Sequence, residues 1–231
     1  MSKTVAIITA RGGSKRIPRK NIKEFCEKPI IAYSIESAIE SGVFDEVMVS
    51  TDDEEIAGIA KQYGAKVPFM RSVNTANDYA TTADVICEVL EEYRAIGKVH
   101  EYACCIYPTA PFVTAEKLKT AMELLVSTEA DSVMPVTAFS FPPMRGMYIR
   151  EDMLSYAFPE YSQKRSQDIE AMYHDCGQFY CFEVERFMET KKLVTENTRP
   201  IIVSELEVQD IDNEIDWKLA ELKYQMMKEG K

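Results

Sequence analysis

Histidine is nearly missing from these 231 residues, with only His100 and His174 present. A histidine-built metal centre or a Ser–His–Asp hydrolase therefore has little material to draw on. The six cysteines (Cys26, Cys87, Cys104, Cys105, Cys176, Cys181) include no C-x-x-C pair, so the usual zinc and dithiol spacings are absent. Cys104 and Cys105 are adjacent within an apolar run and read as core filling, which suits a reduced, cytoplasmic protein. No apolar run reaches about 18 residues, so no membrane span is expected. Met1–Ser2–Lys3 leads straight into a strand-like run, with no signal-peptide pattern after it. Cations are in deficit as well: 27 Lys and Arg against 38 Asp and Glu leave a net charge of −11, which argues against nucleic acid as a general partner.

What is present suits one domain over residues 1–231, with 46% hydrophobic residues to fill its core. Strand candidates fall at 4–10, 46–51, 65–69, 102–108 and 131–136, and again at 177–184 and 200–208. Between them, Ile31, Ile35, Ala38 and Ile39 share a helical face, as do Val85, Ile86, Val89, Leu90 and Tyr93. Thr51 with Glu54, and Thr81 with Asp84, have the spacing of capping boxes. This alternation predicts an α/β protein with a mostly parallel sheet and helices on both faces. Residues 139–175 break the pattern: they are rich in aromatics, include Pro142–Pro143, and show no sustained helical period. They read as an excursion from the sheet. A final helix follows Asn213 and Asp216, with Ile215, Leu219, Leu222 and Met226 as its apolar stripe. Trp217, at the start of that helix, reads as packing.

Against the deficit of positive charge, "RGGSKRIPRK" (11–20) gathers five cations in ten positions. Gly12 and Gly13, directly after a buried strand, let backbone N–H groups approach an anion. Arg11, Lys15, Arg16, Arg19 and Lys20 could then neutralise a polyphosphate, and Asn21 offers an amide. The loop has neither the Walker nor the G-x-G-x-x-G pattern, so a solvated basic loop or a nucleic-acid patch remains open at this point. Near the other end, "QDIDNEID" (209–216) places Asp210 and Asp212 two apart at what reads as a strand end. Period-2 geometry would set both carboxylates on one face, ready for Mg²⁺, although a solvated helix entry would look the same. Together, the two clusters suggest a nucleoside triphosphate bridged to carboxylates by a divalent ion.

These residues resemble the cytidylyltransferases that activate nine-carbon acidic sugars, the CMP-sialic acid synthetases and their relatives. The resemblance runs along essentially the whole chain. It is carried by Ala10, Arg11, Ser14, Lys15, Lys20 and Asn21, by "FDEVMVSTDDEEIAGIAKQYGA" (44–65), by "YPTAPF" (107–112) and by the D-x-D ending. With "MYHDCGQFY" and "ELEVQDIDNEIDWKLAELKY", it is nearest the branch that takes pseudaminic acid. The resemblance implies a Rossmann-like α/β fold, Mg²⁺ as cofactor, CTP and a nonulosonic acid as substrates, and a homodimer built through the 139–175 insertion.

By position it implies that Arg11, Gly12, Gly13, Ser14, Lys15 and Lys20 hold the triphosphate and that Asn21 meets the ribose. Arg71 and Thr82 would read cytosine, and Asp210 and Asp212 would bind the metal. On weaker grounds, Tyr107, Thr109, Arg165, His174, Asp175 and Gln178 fall where the sugar should sit. Arg11, Lys20, Asp210 and Asp212 are the residues expected to carry catalysis.

Sialic acid enzymes of this family commonly have Gln where Tyr107 stands and Arg where Val113 stands, which turns the expectation toward another nonulosonate. Ser72 replaces the usual Pro after Arg71. The alternatives carried forward are a legionaminic or sialic acid enzyme, a D-x-D glycosyltransferase, and a nucleotide-binding sensor without turnover.

Overall fold

The computed structural model describes residues 3–229; Met1 and Ser2, the first two residues of the opening noted above, lie outside the described part. In chain order the elements are β1 (Thr4–Thr9), β2 (Glu24–Phe25), β3 (Lys28–Pro29), α1 (Ile30–Ser41), β4 (Glu46–Ser50), α2 (Glu54–Gln62) and α3 (Thr82–Ala95). Then come β5 (Tyr102–Ile106), α4 (Ala115–Thr128), β6 (Ser132–Ala138), β7 (Met147–Arg150) and β8 (Met153–Tyr156). The chain closes through β9 (Tyr173–Asp175), β10 (Phe179–Glu183), α5 (Val184–Thr190), β11 (Thr198–Ile202) and α6 (Glu214–Glu229). The central sheet runs β11-β6-β10-β5-β1-β4, with β9 added against β6. β1 pairs in parallel with β4 and β5, and β6 with β11, whereas β10 is antiparallel to both its neighbours.

Strand alternation divides the core. Ala6 and Ile8 of β1 face α1 and α4, while Val5 and Ile7 face α3. A third cluster joins Ile17 of the cationic loop, Phe25, Tyr33, Ile211 and Trp217, so α6 and the loop share one hydrophobic anchor. Burying each such side chain contributes roughly 1.5–3 kcal/mol. That anchor fixes the loop's position relative to the acidic segment before α6.

Several local expectations change. Residues 65–69 form no strand; Lys66 exchanges two backbone bonds with β4, to Val47 and from Val49, before Pro68 removes a donor. The cap of α2 is Asp53, whose carboxylate accepts from Glu55 and Ile56, not Thr51. The Thr81–Asp84 capping box on α3 is present. The last strand stops at Ile202, and Glu205–Glu207 is a 3₁₀ turn with its own Ser204–Glu207 capping box. Asp210 and Asp212 therefore lie in irregular chain, and the period-2 argument for them does not apply. The Asn213 and Asp216 side chains do cap α6. Its apolar stripe, however, faces solvent: Ile215 is 72% exposed and Leu222 57%, while Trp217 and Ala220 pack inward. Among the described residues no helix is long and apolar enough to cross a membrane.

Candidate active site

β1 delivers the cationic loop to the carboxyl end of the sheet, where ligands of open α/β folds collect. The chain passes so close to α2 there that a Cβ on Gly12 would meet Asp53 Oδ2 at 2.9 Å. Gly12 also donates its N–H to Asp52 Oδ1 at 2.8 Å. Asn21 is buried and donates to the Arg11 carbonyl at 2.8 Å, fixing the loop from within. Of the five cations, Arg19 is turned away and holds Asp53 and Glu55.

A cavity of ≈ 590 Å³ lies against this loop, a size that suits a nucleotide. Arg11, Gly13, Ser14, Lys15, Lys20, Asn21, Arg71 and Thr82 all reach its wall, so the structure brings together the predicted nucleotide residues except Gly12. Arg71 is only 8% exposed and is locked to Ser50, through Nε to Oγ at 3.0 Å and Nη2 to the carbonyl at 2.7 Å. Burial lowers its pKa against the pull of Asp52 and Glu88. An unforeseen residue enters here: Asp78 bonds Arg11 Nη1 at 2.5 Å and also pairs with Lys15. Its carboxylate sits on the two cations together. Nothing in the sequence singles it out, because an Asn–Asp pair in a loop is ordinary turn chemistry.

The acidic segment closes over the same loop. Lys20 Nζ donates to the Ile211 carbonyl at 2.7 Å, between the two aspartates. Arg16, a mere neighbour of the motif in sequence, bonds Asp212 Oδ1 at 2.7 Å. Burial lowers the Lys20 pKa, opposed by Asp212 and Asp210.

A second cavity of ≈ 460 Å³ adjoins the first, and Tyr107 and Thr109 line both. His174, Asp175 and Asp210 line it, together with Thr137, Cys176 and Lys223, which the sequence does not mark as site residues. Lys223 comes from α6 and ties down the segment by donating to the Val208 carbonyl at 2.7 Å. His174 packs on Phe139 at 4.8 Å between centroids, and its Nδ1 lies 2.9 Å from the Asp175 carbonyl. Gln178 does not line the cavity: it is 2% exposed and donates to the Glu207 carbonyl at 2.6 Å, bracing the acidic segment from below. Arg165 lines neither cavity and is paired with Asp168 at 2.8 Å.

No group of three or more His, Cys, Asp or Glu side chains able to hold a metal is found among the described residues. The oxygen donors of Asp210 and Asp212 fit a hard cation only as part of a set completed by other oxygens, such as phosphate.

The family described as "Cytidylyltransferase" matches residues 5–193. A pseudaminic acid cytidylyltransferase of Campylobacter jejuni is 40% identical over 229 residues, covering 99% of each chain. A CMP-N,N'-diacetyllegionaminic acid synthase of Legionella pneumophila is 33% identical and covers 94% of each. Among solved structures, a CMP:2-keto-3-deoxy-manno-octonic acid synthetase in complex with CTP superposes with a TM-score of 0.71 at 19% identity. That superposition covers 99% of this chain and 100% of the other, and supports the fold alone.

Proposed function

This chain belongs to the cytidylyltransferase family, and from that premise we propose that it joins CTP to pseudaminic acid, giving CMP-pseudaminic acid and pyrophosphate. The observation that carries the reading is the pair of adjoining cavities with Tyr107 and Thr109 as their common wall. One is cationic and sized for a nucleotide triphosphate. The other is polar, with His174 and Asp175 available to a hydroxylated, amidated sugar. The common wall is where the sugar's anomeric oxygen and the α-phosphorus would meet. Attack by the anomeric hydroxyl oxygen forms the new oxygen–phosphorus bond as the bond to the β-phosphate oxygen breaks; the hydroxyl proton is released to solvent, and pyrophosphate departs carrying the released charge. Such a reaction is promoted mainly by positioning and charge neutralisation.

In this reading Arg11, Lys15 and Lys20 take the phosphate charge, and Asp78 gives up its two cations as the triphosphate enters. Asn21 holds the loop and presents its edge to the ribose. Asp210 and Asp212 hold a divalent cation, Mg²⁺ by its preference for carboxylate and phosphate oxygen, which neutralises triphosphate charge when bound. Asp212 would then exchange its contact with Arg16 for the cation, freeing that guanidinium for the nucleotide.

The 139–175 segment is read as the contact between two copies of the chain. Support comes from its β7–β8 hairpin, a separate two-stranded sheet on which Ile149 is 74% exposed, Met153 72% and Leu154 68%. Six unpaired cysteines suit a reducing cytoplasm, where CTP is made.

A pyrophosphate-release assay with CTP and a panel of pseudaminic, legionaminic, sialic and deoxyoctulosonic acids tests the reading. Highest kcat/KM with pseudaminic acid is expected. A preference for legionaminic acid would favour the second reading, which the Legionella relative supports. Binding of CTP without sugar-dependent pyrophosphate release would establish a sensor instead.

A further inference from the structure

Gln178 carries a buried polar atom with nothing to bond. The residue is 2% exposed, and its Oε1 has no hydrogen-bond partner. Its Nε2 donates to the Glu207 carbonyl at 2.6 Å. That contact fixes which way the amide points, because a carbonyl only accepts and the oxygen end could not face it. A buried acceptor left unpaired costs about as much as one good hydrogen bond contributes, so the amide adds little to stability on balance. A buried group with one end unmet calls for a reason, and here the reason lies in what the bonded end holds.

Gly177, at a φ of 60°, turns the chain from β9 into β10 and delivers Gln178 between them. The Gln178 carbonyl accepts the Tyr107 N–H at 2.8 Å. One residue therefore holds the wall shared by the two cavities with its main chain and the acidic segment with its side chain. Two lysines repeat the link. Lys117 Nζ donates to the Phe112 carbonyl at 2.9 Å and to Glu207 Oε1 at 2.7 Å, so it also joins the stretch after β5 to the segment. From α6, Lys223 donates to the carbonyls of Glu205 at 3.2 Å and Val208 at 2.7 Å. Asp210 and Asp212 follow directly, in irregular chain where no strand or helix fixes them. Between them, Lys20 holds the Ile211 carbonyl at 2.7 Å.

We propose that Gln178 is a positioning residue for the divalent cation, setting where the Asp210 and Asp212 carboxylates stand relative to the Tyr107 wall, with Lys117 and Lys223 as companion braces. Two carboxylates of like charge drift apart when their backbone is loose. A hard cation that must also take phosphate oxygens binds best where they are already placed. Groups that hold ligands from behind set metal affinity without touching the metal. Gln178 does this through the chain, since its contact is to the backbone of Glu207 and not to either aspartate. The inference rests on the CTP and cation reading above and adds what sets the affinity for the cation.

Gln178→Met tests it. The substitution keeps the length of the side chain and removes the bonded and the unbonded end together, so the thermal midpoint should move little. Mn²⁺, followed by the electron paramagnetic resonance of the free ion, is the probe for binding to the protein–CTP complex without sugar. Its Kd is expected to rise about tenfold in the variant, the lower end of what loss of a supporting partner costs a metal site. Gln178 lines neither cavity, so the calorimetric Kd for CTP in EDTA is expected to stay within about twofold. A loss confined to Mn²⁺ is a signature that general loosening of the fold would not give. If Gln178→Met does not fold, Lys223→Met releases the Val208 carbonyl from a half-buried position and is read in the same way. A folded variant with wild-type Mn²⁺ affinity, or one that loses CTP and Mn²⁺ equally, overturns the proposal. A wild type that binds CTP but no Mn²⁺ removes the cation reading and the brace with it; one that binds neither removes the CTP reading as well.

Discussion

Lys20 Nζ donates to the Ile211 carbonyl at 2.7 Å and stands 3.9 Å from the Asp212 carboxylate, joining residues 191 positions or more apart. One ammonium thus closes the cationic loop onto the acidic segment before α6. Burial destabilises its charge, and the two aspartates restore part of what burial removes. In the proposed reading, a cation held this way is set in place before the phosphate arrives, so little reorganisation accompanies binding.

Lys20→Ala is therefore expected to lower kcat/KM for CTP by roughly 10²–10³, the usual scale for removing one preorganised charge contact. Steady-state pyrophosphate release measures it. A variant within about twofold of wild type would remove Lys20 from the site.

Asp212→Ala tests the opposite side of the same contact. It should abolish Mg²⁺-supported turnover while the protein stays folded, because Asp212 makes its contacts at the surface of the site, with Arg16 and Lys20. Titration of activity against Mg²⁺, with circular dichroism as the fold check, reads the outcome. Near-normal activity would sink the metal assignment.

Much of this site is legible in sequence because its parts are local. Gly12 and Gly13 after β1, the Thr81–Asp84 capping box and the core faces of α1 (apart from Ile39, which is exposed) and α3 each depend on neighbours within a few positions. What escapes is long-range. Asp78 becomes a partner of Arg11 and Lys15 only through an approach of 67 and 63 positions. The outward stripe of α6 illustrates the same limit. Ile215 and Leu222 have helical spacing as good as that of Trp217, Ala220 and Tyr224, and only tertiary packing decides which face turns inward. Strand alternation would set Asp210 and Asp212 on one face, but no strand is there. They are brought near the loop by Lys20 and Arg16 instead.

Asp78→Asn should improve CTP capture. Asp78 pairs with both Arg11 and Lys15, and both hold its pKa below the usual carboxylate range. In the proposed reading a triphosphate displaces this carboxylate, so removing its charge should lower the KM for CTP several-fold at low ionic strength. The gain should shrink as salt screens the exposed pairs. A raised KM would mean that Asp78 supports the bound state.

Glu46 supplies a pH dependence far from the site. Its carboxylate is buried beneath Lys98, Lys66 and Tyr93, with Tyr93 Oη at 2.6 Å and Lys98 Nζ at 2.8 Å. Burial alone would push it up, but these hydrogen bonds outweigh that and hold it at about 2, below its ordinary 4.5. A depressed carboxyl contributes stability that is fully present above the unfolded value and disappears as pH falls through the folded one. Denaturant midpoints should therefore drop between pH 5 and about 2, and Glu46→Gln should flatten part of that slope. Identical slopes in the two proteins would exclude Glu46 as the source.

The β7–β8 hairpin offers a test of assembly that is independent of chemistry. Ile149 and Leu154 face each other across its register, and both are more than half exposed on a sheet of only two strands. Two-stranded ribbons are marginal alone, so apolar cover from a second copy would stabilise this one. Ile149→Asp with Leu154→Asp is expected to shift the protein from dimer to monomer in sedimentation equilibrium while leaving the central sheet intact by circular dichroism. Neither position lines the nucleotide or the sugar cavity, so calorimetric CTP binding should persist in the monomer. A wild-type protein that sediments as a monomer would rule out the dimer, and a charged variant that remains dimeric would place the contact elsewhere. In the second case the outward stripe of Ile215, Leu219, Leu222 and Met226 on α6 becomes the next surface to charge.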